Sequence, residues 1–157
     1  MNYTQYTIER KFAVSADRLY AAFTEADDLK AWVWGKDAKD MQIELDLQVN
    51  GAFEISMDVT DRKGWGGPRA GMRGIYLVIE PGRKLIHTLH WDAPVGYNEP
   101  GMNPLDEVLV CEFQDDGAGS LLKYTHMGIP DDGGSAAEHE RSVRETLELL
   151  EAHLKAT

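Results

Sequence analysis

The sequence predicts an α+β fold in which a curved antiparallel sheet of about six to seven strands wraps one long C-terminal helix, with two short helices after the first strand. Three observations predict it. Apolar and polar residues alternate in segment after segment, the period of half-buried strands. Turn residues separate those segments, and the last stretch of chain changes to a 3.6-residue apolar period. At 157 residues the chain has the length of one domain, expected to span 1–157.

Residues 3–12 alternate, with Tyr6, Ile8 and Phe12 on one face beside an anomalous Arg10. Ser15 then offers an N-cap with Asp17 in the first turn, and Ala16, Leu19, Tyr20 and Phe23 follow at helical spacing. A second short helix is expected over 26–34, stopping at Gly35. Met41 to Val49 alternate as a strand, and Asn50-Gly51 predicts a two-residue hairpin turn into Phe53, Ile55, Met57 and Val59. A glycine-rich interruption at 61–74 precedes a strand near 74–79, which turns at Glu80-Pro81-Gly82 into a strand over 84–92. Two further strands, 105–114 and 120–127, flank a turn at 115–119. Ala93 to Pro104 form a long loop, either a lid or a plain hairpin connection. Ser135 to Glu138 reads as a capping box, and Ala136, Val143, Leu147, Leu150 and Leu154 then share one helical stripe. A curved sheet closed on that helix is a helix-grip arrangement, which buries both apolar faces.

Composition narrows the function classes. Sixteen basic against 27 acidic residues leave a net charge of −11, which repels nucleic acid and anionic membrane surfaces. A single cysteine, Cys111, excludes an internal disulfide and lies in an apolar run. With no apolar N-terminal leader and no long apolar span, a cytoplasmic location is expected.

Several segments, taken in order, resemble one family. Ala13 to Thr24 (AVSADRLYAAFT) is similar to its opening helix, and Leu29 to Trp34 to its tryptophan-bearing short helix. Asp46 to Phe53 (DLQVNGAF) resembles its hairpin, with Asn50 in place of a glycine. Gly74 to Pro81 and Lys84 to Trp91 resemble two of its strands. The chain is identified on these segments as START-like (SRPBCC, polyketide-cyclase-like). Within that superfamily it resembles the C-terminal-domain-like family of the activator of the 90-kDa heat-shock chaperone's ATPase. The resemblance implies the birch-pollen-allergen-like helix-grip fold. Many members carry Gly-Trp in the terminal helix after a histidine. Here Ser142-Val143 follow His139, a small side chain in place of a bulky one, which implies a larger cavity.

The residues expected to line that cavity are Trp32, Trp34, Trp65, Tyr76, Trp91, Tyr97 and Tyr124, with Val143 and Leu147 on its helix side. Trp65, on the glycine-rich rim, either stacks on a ligand or simply packs. His126 projects inward if Leu122 and Tyr124 do, as a pocket histidine or a structural one. His139 and Glu140 sit near the helix stripe, on a start that is otherwise a solvated face. Arg10, on an apolar strand face, requires a carboxylate partner or an anionic ligand. His87 and His90, three apart on a strand, point to opposite faces and cannot share a metal.

The expected function is non-catalytic binding of a small hydrophobic or aromatic molecule between sheet and terminal helix, with no cofactor and no metal. A second copy of the chain is an optional partner; nucleic acid and membrane are not expected. Two alternatives belong to other classes: a co-chaperone-type interaction domain acting on the 90-kDa chaperone's ATPase, and a cyclase- or hydrolase-like enzyme. The enzyme would use His126, His139 or Glu140 as general base.

Overall fold

Alternation in the first segment becomes strand β1 (Tyr3–Phe12), with Tyr6, Ile8 and Phe12 buried, Arg10 part-buried on the same face, and Thr7, Glu9 and Lys11 facing solvent. The computed structural model describes residues 2–62, 67–92 and 106–157. Two short helices follow, α1 (Ala16–Thr24) and α2 (Ala26–Trp32). The Ser15 hydroxyl caps α1 by accepting from the Arg18 N–H at 3.1 Å. Six more strands then form a meander: β2 (Lys39–Leu45), β3 (Ala52–Asp58), β4 (Arg69–Glu80), β5 (Lys84–Asp92), β6 (Glu107–Asp116) and β7 (Gly119–Pro130). The chain ends in α3 (Ser135–Ala156).

All pairings are antiparallel, in the order β1-β7-β6-β5-β4-β3-β2, so β1 and β2 are opposite edges of one seven-stranded sheet. The α1–α2 pair carries the chain from one edge to the other. Register shifts at Thr4/Gln5, within Lys39–Gln42 and between Tyr76 and Val78 bend the strands. The resulting curved, open sheet with its terminal helix is the α+β helix-grip fold. Helix α3 lies against β1, β7 and α2, and Leu147, Leu150 and Leu154 are its buried residues. Among the described residues no helix is long and apolar enough to cross a membrane.

Three local expectations are corrected. Strand β2 stops at Leu45, and Leu47 and Val49 lie exposed in a loop over 46–51 instead of continuing the alternation. Asn50 does take a left-handed φ of 69°, but it sits at the end of this longer loop rather than in a two-residue turn. Its N–H donates to the Tyr76 carbonyl, so pairing with β4 replaces the tight hairpin. A Cβ on Gly51 would stand 2.0 Å from the Asp46 carbonyl oxygen, so close approach is what demands glycine there. Strand β4 begins at Arg69, earlier than its apolar pattern, because Arg69 to Gly74 complete the ladder with Asp58 to Phe53. At the start of α3, Ser135 is already helical. Asp132 takes the capping role, accepting from the N–H groups of Gly134 (3.1 Å) and Ser135 (2.8 Å), while Glu138 pairs with Arg141 instead of reaching back. The Ser135 hydroxyl, which also donates to this carboxylate, and the two backbone N–H groups hold the Asp132 carboxyl down at about 2.

The three helices meet at Asp28. Arg18 donates to both its oxygens at 2.9 Å, and His153 Nε2 lies 2.6 Å from Oδ1. The Arg18 fork, with His153 adding, lowers the Asp28 pKa from its ordinary value. A carboxyl depressed in the fold stabilises it above the unfolded pKa of about 3.9, and that contribution is lost as pH falls through the folded value. Asp28→Asn is therefore expected to melt a few degrees below the native chain at neutral pH. The gap should persist down to about pH 4 and shrink below it; thermal melts from pH 7 to pH 2 check this, and a gap that does not shrink below about pH 4 would refute it.

Candidate functional site

The period of two on each strand selects which side chains look toward α3. On β5 it is Leu85, His87, Leu89 and Trp91; on β7 it is Tyr124 and His126. On α3 the residues at i, i+3, i+4 and i+7 are His139, Ser142, Val143 and Thr146. These faces, with α2 and the chain after it, enclose a pocket of about 160 Å³. The N-terminal half of α3 faces this space, whereas Leu147, Leu150 and Leu154 pack solidly below it.

Of the residues singled out from sequence, the structure brings Trp32, Trp34, Tyr76, Trp91, Tyr124, His126, His139 and Val143 together around the pocket. Trp65 and Tyr97 lie outside the described residues, as does the loop from Ala93 to Pro104 expected as a lid or a plain hairpin connection. Leu147 is wholly buried in the core and does not line the space. Arg10 does not line it either; its guanidinium pairs with Glu151 of α3 at 3.3 Å and lies over the Phe12 ring. Trp32 is pinned by its indole N–H, which donates to the Ala22 carbonyl at 3.0 Å. Glu140 pairs with Arg144 one turn along the helix.

A buried polar chain borders the pocket. Glu107, at the start of β6, is fully buried, and its carboxylate accepts from His126 Nε2 at 2.5 Å and from the Trp91 indole at 2.9 Å. A carboxylate only accepts, so Nε2 carries the proton, and in the neutral ring Nδ1 accepts from the Tyr6 hydroxyl at 3.1 Å. Burial pushes the Tyr6 hydroxyl up, so it remains a donor. The His139 ring stands edge-on to His126 with centroids 5.1 Å apart and stacks on Trp91 at 6.1 Å.

His87 belongs to the same space. Its Nδ1 lies 2.7 Å from the Thr88 carbonyl, which can only accept, so the proton sits on Nδ1. Phe53 and Tyr76 meet its ring edge-to-face at 4.7 and 6.1 Å. Burial lowers its pKa to about 4, so the ring is neutral at pH 7. His90, on the opposite strand face, instead contacts Asp106 at 3.0 Å. Among the described residues no group of three or more His, Cys, Asp or Glu is placed to hold a metal ion.

With the fold and this pocket in view, the sequence matches, over residues 13–155, the family described as Activator of Hsp90 ATPase homolog 1-like protein. The chain belongs to this family. Its fold is that of the START-like (SRPBCC) superfamily. Solved structures agree: an uncharacterised protein from Rhizobium leguminosarum superposes with a TM-score of 0.79 at 14% identity, covering 99% of this chain and 97% of that one. A Rhizobium loti protein gives 0.75 at 24% identity, covering 97% of each chain. The AHSA1 protein of Silicibacter pomeroyi gives 0.71 at 20% identity, covering 98% and 99%. No curated protein matches in sequence.

Two residues, one lining the pocket of this family member and one behind its wall, escape a sequence reading that searches for motifs. Glu107 shares its strand face with Leu109, Cys111 and Phe113, so period-two parity already placed a carboxylate among core residues, the same anomaly that marks Arg10. His87 carries no motif of its own beyond the excluded metal pair with His90, although Leu85, Leu89 and Trp91 share its face.

Proposed function

We propose that this protein binds a small, largely apolar molecule of about one aromatic ring in the pocket between the sheet and α3, without chemical conversion. The observation that carries this reading is the pocket itself, about 160 Å³ and lined mainly by aromatic and aliphatic side chains with a few convergent polar groups. Size decides the ligand class: an apolar void of about 150 Å³ accepts a benzene-sized ring, so fused polycyclic molecules exceed this space. Three aromatic neighbours of the pocket, Tyr76, Trp91 and Tyr124, supply faces and edges suited to a ring.

The test is titration with toluene, followed by the methyl resonances of Leu109 and Val143, together with native mass spectrometry of freshly purified protein. Saturable shifts at both methyl groups are expected, with or without an added mass. Unmoved resonances at the solubility limit of toluene, and no copurified mass, would refute the reading.

A further inference from the structure

Nothing in the fold explains why the His87 imidazole faces the pocket among apolar neighbours. Its Nδ1–H is committed to the Thr88 carbonyl, which leaves Nε2 as a lone pair on the ring edge farthest from the strand. Among the described residues Nε2 has no hydrogen-bond partner, and His87 is one of the residues that line the pocket. The T-shaped contacts with Phe53 and Tyr76 hold the ring in place from two strands. His126 differs, since both its nitrogens are engaged, by Glu107 and by Tyr6.

We infer that His87 Nε2 is the polar anchor of the pocket, accepting a hydrogen bond from the hydroxyl of a one-ring phenol. This rests on the pocket-binding reading above and names the ligand class for it. An acceptor aimed into a small apolar space is satisfied by a donor on an otherwise apolar ligand and left unpaired by a hydrocarbon. The basicity also fits binding. With His87 at about 4 and a phenol near 10, the proton stays on the ligand oxygen, and the bond orients the ring without ionising it.

The experiment compares phenol with toluene, which replaces hydroxyl by methyl at nearly constant shape, on the full chain at pH 7. Calorimetry on the native protein and on His87→Phe yields the ratio of toluene to phenol dissociation constants in each. Because the hydration of each ligand cancels between the two proteins, the ratio is expected to be about tenfold higher in the native one, as for one hydrogen bond. In the native protein, the ¹⁵N resonance of His87 Nε2 is expected to shift with phenol and stay in place with toluene. That second measurement decides the matter should His87→Phe fail to fold. If both ligands bind but the ratio is unchanged, or Nε2 does not respond to phenol, the anchor is refuted and the pocket stands. If neither ligand binds, the pocket reading falls and takes the anchor with it.

Discussion

Replacing Glu107 by alanine is expected to lower the unfolding free energy by about 2–5 kcal/mol, since it leaves two donors unpaired at about 1–3 kcal/mol each. The substitution deprives His126 Nε2 and the Trp91 indole of their shared acceptor, the first buried and the second part-buried. At about 2–4 °C per kcal/mol for a chain of this size, the melting temperature should fall by about 10 °C. Glu107→Gln keeps an acceptor oxygen for one donor and should lose clearly less. In the double variant with His126→Ala the losses should sum to less than the two single effects, because one bond is counted in both. Urea and thermal denaturation measure all of these. A melting temperature unchanged in Glu107→Ala would mean that the Glu107, His126 and Tyr6 chain contributes nothing to stability.

Val143→Trp is expected to abolish toluene binding while changing stability by less than about 1 kcal/mol, provided that the indole settles in existing space. Val143 stands on the pocket face of α3 between His139 and Thr146, and its side chain is half-buried. A tryptophan there would consume much of the 160 Å³ in front of it. Were the region already close-packed, overpacking would cost about 1–3 kcal/mol. Retained toluene binding, or a stability loss of that size, would count against a pocket at this position.

Where neighbouring residues in the chain settle the matter, the sequence reading and the structure coincide. The β1 alternation returns as Tyr3–Phe12, the Ser15 cap as a 3.1 Å bond, and the Leu147, Leu150 and Leu154 stripe as the buried face of α3. The reading diverges where a distant partner competes with a local signal. Asn50-Gly51 carries hairpin chemistry, yet the Tyr76 carbonyl and the Asp46 backbone draw that segment into a longer loop. Ser135 carries capping chemistry, yet Asp132 reaches the free N–H groups first.

What the sequence by itself determined is which side chains of each strand and helix face inward, because periods of 2 and 3.6 follow from local backbone geometry. That is how Val143 is legible as inward-facing from the helix stripe, and His126 from the strand period once Leu122 and Tyr124 are inward. Only the tertiary structure decided which inward faces meet. His126 reaches Glu107 and Tyr6 because β7 pairs with both β6 and β1, setting Leu109 and Tyr6 opposite it across gaps of 17 and 120 residues. Arg10 found Glu151 rather than a ligand because α3 returns over β1. Strand register and helix placement minimise the free energy of the whole packed core, so no local window of sequence contains them.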